Sequence, residues 1–361
     1  MEVKACHSAE DREGQIELFE RCFDKSAGRE VLAWRYDANP HGEPVQLLAK
    51  SGGVAVSGYA CNPRQALARG VEGATVGQTG DVMTAPEARG QGVFSGLDRR
   101  AMELSKAAGW PAVFGLPNRT SEKLFTEKLG WESVGRIRPW TFVLASDAGA
   151  RRERHRAGRL ASLAVPWSYW RGTMARGRMR NRAWEKVNTL AIPRFDDEVD
   201  AIWKAVAKDF DWMVRRDANY LNWRFMDAPS GRFRAHGVYD PEGTMRGYAV
   251  VQLPEGTGVD AAATGYVVDL VAVDEVAFAA AMDAALGHLR KAGASVARAW
   301  AIVGSWWEGA LKGAGFRAPK AEDFKVVIAM VHDKKHPLGQ AALSPHKWFF
   351  TDGDRDDEVV S

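Results

Sequence analysis

A β-patterned run of residues ends at Thr84, a glycine-rich turn follows, and from Val93 to Ala108 the apolar positions recur at the spacing of an amphipathic helix. A short apolar run, 112–116, predicts a strand. Thr120 to Leu129 then predicts a second helix, closed by Gly130-Trp131. Farther on, Leu160, Leu163, Trp167, Trp170 and Met174 recur at steps of three and four, which lines one helical face with apolar groups. Pro166 interrupts this stretch and predicts a kink or a new helix start near Trp167.

The pattern also repeats. Trp34-Arg35-Tyr36 returns as Trp223-Arg224-Phe225, and Gly58-Tyr59-Ala60 returns as Gly247-Tyr248-Ala249, 24 residues after the tryptophan in both places. Asp81-Val-Met-Thr matches Asp269-Leu-Val-Ala, Ala108-Gly109 matches Ala292-Gly293, and Gly130-Trp131 matches Gly315-Phe316. These pairs predict a duplicated α/β unit, each copy a mixed sheet flanked by helices. The boundaries are 1–145 for the first copy, 146–194 for a basic amphipathic connector and 195–361 for the second copy.

The copies differ at one place. Asp81 to Gly109 spans 28 residues but Asp269 to Gly293 only 24, and the missing four fall at Arg89-Gly90-Gln91-Gly92. That turn is a socket for a pyrophosphate: Arg89 brings fixed charge, two glycines let the backbone approach, and the new helix offers unpaired N–H groups. The second copy instead has Val273-Asp-Glu-Val276, whose carboxylates would repel phosphate.

Arg89-Gly90-Gln91-Gly92-Val93-Phe94 and the Asn118, Gly130, Trp131 segment resemble the GNAT superfamily of acyl-CoA N-acyltransferases over roughly residues 1–145. Phe94 departs from the small residue usual at the sixth motif position. The resemblance implies a tandem GNAT fold with a degenerate second copy, acyl-CoA as cosubstrate and no metal. It implies cofactor contacts at Val82, Met83, Thr84, Arg89, Gly90, Gln91, Gly92, Val93, Phe94, Asn118 and Phe125. Backbone amides of Met83 and Thr84 would polarise the thioester, and Asp81 would serve as base or water-holder, the bland alternative being a carboxylate that closes its strand. Phe125 and Thr126 stand where the family carries an acidic tyrosine, so the thiolate would leave unaided or the chain would be a non-catalytic acyl-CoA sensor. Asn118 reads equally as a cofactor contact and as an ordinary N-cap.

Net charge is +3 overall, yet residues 147–194 hold eleven arginines and one lysine against three carboxylates. Tryptophans among arginines over 160–185 suit a solvated connector or an interfacial helix on anionic lipid, and less well a nucleic-acid grip. A lipid contact makes the acceptor a membrane-associated amine or sphingoid base, as in bacterial ceramide synthases that resemble GNAT proteins. The rival acceptor is a soluble amino sugar or antibiotic. Three unpaired cysteines, no leader pattern and no apolar span predict a cytoplasmic protein, peripheral on the inner membrane under the lipid reading. The histidines are scattered, without metal-ligand spacing. Trp348-Phe349-Phe350 reads as a closing strand, and the acidic run 351–358 as a solvated end.

Overall fold

The computed structural model describes residues 2–6, 8–23, 28–145, 164–183, 186–255, 263–318 and 324–355. The first copy runs β1 (Glu2–Ala5), α1 (Ala9–Phe23), α2 (Arg29–Leu32), a π-helical turn (Ala33–Asp37), β2 (Val45–Ser51), β3 (Val54–Ala68), β4 (Val71–Thr84), α3 (Val93–Ala107), β5 (Ala112–Gly115), α4 (Arg119–Lys128) and β6 (Glu132–Val143). After α5 (Ala164–Ala183) the same order returns with one strand, β8, added: β7 (Asn188–Ile192), α6 (Glu198–Val206), β8 (Trp212–Val214), α7 (Ala218–Leu221), a second π-helical turn (Asn222–Met226), β9 (Phe233–Tyr239), β10 (Met245–Gln252), β11 (Thr264–Ala272), α8 (Glu275–Lys291), β12 (Val296–Ile302), α9 (Trp306–Gly313) and β13 (Lys325–Val331). A short α10 (Pro337–Ala341) and β14 (Trp348–Phe349) follow. The mixed α/β fold and its duplication, expected from the repeated motifs, are both present.

One sheet runs through the whole molecule, in the order β1-β2-β3-β4-β5-β13-β6-β12-β11-β10-β9-β7. The order is palindromic, so a pseudo-two-fold axis passes between β13 and β6. It also means that the copies exchange their last strands: β13 pairs with β5, while β6 pairs with β12 and β13. The boundary at 145 separates the copies along the chain without separating them in the sheet. The repeated tryptophans sit on the same symmetry. Trp34 and Trp223 stack with ring centroids 5.2 Å apart, and each indole N–H donates to the other's backbone carbonyl, at 2.5 and 2.7 Å. Such stacking adds about 0.5–1.5 kcal/mol beyond area burial.

Helices cover the first copy's sheet on both faces. Leu47, Ala49, Tyr59 and Cys61 pack with α3 and α4, while Leu48, Ala60 and Met83 pack with α1 and the π-helical turn. Cys6 and Cys61 are buried core residues, and all three cysteines are free.

Two expectations need correction. In the connector, α5 starts at Ala164, close to the start expected near Trp167, with Pro166 in its first turn where a missing N–H is tolerated, and it is the apolar stripe that needs correction. Its docked face is Gly172, Ala175 and Met179, and Met174 of the expected stripe is 45% exposed. Small residues win because Gly172 and Ala175 let the helix lie close against Phe142 and Gly315. Arg176 and Arg180 both pair with Asp283 of α8, so part of the basic charge fastens the connector to the protein. Leu160 and Leu163 lie outside the described residues, as do the side chains of Trp167 and Trp170. The acidic end is the second correction: Thr351, Asp352, Asp354 and Arg355 are buried. Their charge is compensated, since Asp354 pairs with Arg216 at 2.6 Å and Asp352 with Arg355 at 2.7 Å. Residues 356–358 of that run lie outside the described residues.

Candidate active site

β4 and β5 pair in parallel only at Gly77, Gln78 and Thr79, because β5 ends at Gly115. Beyond Thr79 the β5 side of β4 faces no strand. A bulge opposite Tyr59 separates the Ala60–Gly80 and Gly58–Met83 pairs, and Asp81 within it has φ +45°. Re-aiming of the strand at a bulge is what opens the wedge.

The wedge continues into the turn. Gly90 and Gly92 have φ of +77° and +75°, and a Cβ on either would meet nothing within 4 Å, so the demand for glycine is conformational and the space above the turn is open. α3 begins at once, with no side chain capping it. Its first N–H groups therefore point, unpaired by a cap, at an electropositive helix end of 15 residues. Arg89 stays exposed, its Nε donating to the Thr84 carbonyl at 3.2 Å.

Between this turn, β4, α1 and α4 lies a cavity of about 660 Å³. Val82, Met83, Thr84, Arg89, Gly90, Gly92, Val93, Phe94 and Asn118 all line it. Its walls are largely apolar and its rim carries Arg89 and Lys128. Asn118 lines the cavity, and its Oδ1 accepts the Ser121 N–H at 2.9 Å and so caps α4. Cys22 and Phe23 of α1, which the motif pattern could not single out, complete the wall. Burial pushes the Cys22 thiol up against the opposing pull of Arg89, which keeps it protonated and unsuited to a covalent role.

Three expected residues stand apart. Phe125 is 2% exposed, edge-on to Phe94 and Trp131 in the core, and cannot reach a ligand. Gln91 folds its side chain back onto the Glu87 carbonyl at 2.9 Å, outside the cavity lining. Asp81 does not line the cavity either: its Oδ2 accepts from both Arg35 and the Tyr36 hydroxyl. That carboxylate ties the π-helical turn to the β4 bulge, which makes Asp81 a positioning residue. Burial, and then the nearby Asp81 charge, push the Tyr36 hydroxyl well above its ordinary pKa, so it remains a donor.

A second carboxylate, missed in the sequence, steadies α3. Asp98 is buried and accepts from the Tyr59 hydroxyl at 2.8 Å and from the Trp131 indole at 3.2 Å. Burial raises its pKa to about 6 against the opposing pull of those two hydrogen bonds.

The second copy lacks the socket. Asp274 caps α8, accepting the Ala277 N–H at 2.8 Å, and pairs with Arg246 at 2.9 Å. The equivalent strand wedge is occupied from within: Asp352 accepts the Trp300 N–H of β12, and Thr351 donates to Asp269 of β11 at 2.7 Å. Arg216, 1% exposed, joins Asp269 and Asp354 beneath it.

Comparison with known proteins agrees with this geometry. A family model described as an acetyltransferase (GNAT) domain matches residues 6–134. Residues 6–134 are thus similar to a GNAT domain. The GNAT match covers the uncapped helix and the open wedge and stops before the second copy, and it makes the protein an acyltransferase whose cosubstrate is acyl-CoA. In solved structures the likeness in fold extends over about nine-tenths of the chain. A probable N-acyltransferase from Enterococcus faecalis aligns at TM-score 0.62 and 13% identity, over 92% of this chain and 73% of that one. The Saccharomyces cerevisiae N-myristoyltransferase with bound myristoyl-CoA aligns at 0.59 and 12%, over 91% and 78%. A tandem GNAT protein from the clavulanic acid biosynthesis pathway aligns at 0.52 and 13%, over 92% and 99%. Among curated proteins none matches in sequence. Among the described residues no group of three or more His, Cys, Asp or Glu could hold a metal, and no helix is long and apolar enough to cross a membrane.

Proposed function

We propose that the protein moves an acyl group from a CoA thioester to a primary amine, with the cofactor in the first copy alone. The observation that carries this reading is the uncapped start of α3, opening on an apolar cavity whose far wall is the unpaired edge of β4. The CoA diphosphate rests on the amides of residues 90–95 with Arg89 beside it. The pantetheine arm follows the free β4 edge, and amides of Val82–Thr84 stabilise the oxyanion as the amine nitrogen attacks the thioester carbonyl. The C–N bond forms, the C–S bond breaks, the ammonium proton passes to solvent, and the thiolate takes a proton from water. With Asp81 committed to Arg35 and Tyr36 and no tyrosine at Phe125, catalysis is mainly positioning, worth roughly 7–11 kcal/mol when reactants are well aligned. A thiol pKa near about 8.5 makes the leaving group adequate without an acid.

Calorimetry with CoA and a thiol-release assay with acetyl-CoA and amines test this reading. Binding with release of thiol is expected. Binding without release from any amine would return the sensor reading, and no binding would refute the site.

The lipid acceptor has one observation behind it: Met174, 45% exposed, and Arg178 share the outer side of α5. On this second reading that side meets anionic lipid and presents a long-chain base. Flotation on vesicles with and without anionic lipid decides it, and failure to float with either removes the reading.

A further inference from the structure

A second cavity, of about 590 Å³, lies on the sheet face opposite α3, among the start of α1, the π-helical turn and β2. Among the described residues its lining contains no Leu, Ile, Val, Met, Phe or Trp, and Tyr36 is its one aromatic wall. Its polar groups include Arg12, Arg29, Asp37, Glu43, Asn39 and Gln46. An acyl chain would find nothing here to match it.

Two placements tie this cavity to the reaction. Gln46 pairs with Ala60 across β2 and β3, and Ala60 pairs with Gly80 across β3 and β4, so Gln46 lies in one cross-strand row with the residue preceding Asp81. Two strand spacings make that about 10 Å. Tyr36 lines the cavity and donates its hydroxyl to Asp81, whose neighbour Val82 lines the CoA cavity. The two cavities therefore flank one point of the β4 bulge.

The decisive atom is Gln46 Nε2. Gln46 is 5% exposed, yet among the described residues this donor has no hydrogen-bond partner. A buried donor left unmade costs about 1–3 kcal/mol, so such a group calls for a partner that the described residues do not supply. Around it the charges are mixed. Arg12 holds Asp37 at 2.6 Å, Arg29 pairs with Glu13, and the carboxylates of Asp37 and Glu43 stay open to solvent.

We propose that this cavity seats the acceptor, and that the acceptor is a small primary amine with hydroxyl or carboxylate oxygens close to its nitrogen, an amino sugar or an amino acid in size. Asp37 and Glu43 meet the ammonium, while Gln46 Nε2 donates to a ligand oxygen. The inference rests on the acyl-transfer reading above and chooses between its acceptors.

The test uses the full chain with acetyl-CoA and three probes: glucosamine, the standard amino acids as a set, and decylamine. Glucosamine and the amino acids separate the two polar sources. Thiol release with a polar probe and not with decylamine is expected, as is a KM for that probe raised about tenfold in Gln46→Leu with kcat and CoA affinity held. Leucine is close to glutamine in volume and removes the donor that lacks a partner together with the amide oxygen, so the melting temperature should change little. Glu43→Gln, at an exposed position, should raise the same KM. Decylamine turned over as well as the polar probes, or a Gln46→Leu enzyme with unchanged KM, overturns the proposal. If CoA binds but no amine releases thiol, the acyl-transfer reading fails. Calorimetric titration of the polar probes into both proteins then decides the cavity by itself, binding weakened in Gln46→Leu supporting it and equal or absent binding refuting it.

Discussion

The two copies share their strand order and their tryptophan turns, and they part where each handles its central carboxylates. In the first, Asp81 is held by Arg35 and Tyr36 of its own π-helical turn, and the wedge beyond it stays open. In the second, the matching Arg224 turns away and donates to the carbonyls of Gly353 and Arg355, so that Asp269 is left to Arg216, Tyr248 and Thr351. The chain's own C-terminal segment fills the corresponding wedge. Tyr59 and Tyr248 show the same division: the first donates to Asp98 of α3, whereas the second copy has Met282 at the place of Asp98 and its tyrosine serves Asp269. One copy keeps its polar groups around an open cleft, and the other uses them to close one.

The largest effect should come from breaking that closure. Asp269→Ala leaves Arg216 buried beside Asp354 alone, and a loss of about 3–5 kcal/mol in urea unfolding is expected. A loss below about 1 kcal/mol would mean that the second copy is not braced by this network. Arg89→Glu acts on the open copy: CoA affinity measured by calorimetry should fall about 10- to 100-fold, the size of a lost charge-assisted contact. Unchanged affinity would place the cofactor elsewhere.

Asp98 sharpens the contrast through pH. Its folded pKa of about 6 lies above the ordinary carboxylate value, so the stability linked to its protonated form is full below about pH 4 and is lost as pH rises through 6. Asp98→Asn should remove this slope and raise stability at pH 8 by of order 2 kcal/mol, with little change at pH 4. Parallel pH profiles for both proteins would show that the carboxyl is not the titrating group. The smallest effect belongs to the capped helix: Asp274→Ala should cost about 1 kcal/mol, and calorimetry should detect no CoA binding gained by the second copy.

What was legible in the sequence was local. The β4 run, the Arg89–Phe94 turn and α3 are adjacent in the chain, so turn chemistry and periodicity locate them to within a residue or two. Spacing alone exposed the duplication and the four-residue loss. The role of Asp81 was not legible, because its partners come from a turn 45 residues earlier. Nor was the burial of the C-terminal run, since an acidic stretch is solvated unless distant arginines meet it, and Arg216 and Arg224 do. Cavity-lining Gln46 carried no signal, because an amide in a strand becomes notable only when its missing partner is seen in three dimensions.

The exchange of final strands sets a limit on how the polypeptide is made. Both neighbours of β6 come from residues beyond 295, so the segment 132–143 leaves the ribosome with no strand to join. The first copy can finish its sheet only after synthesis has passed residue 331, and a shortened product ending near 145 would carry two bare edges. The second copy is thus a structural precondition of the first.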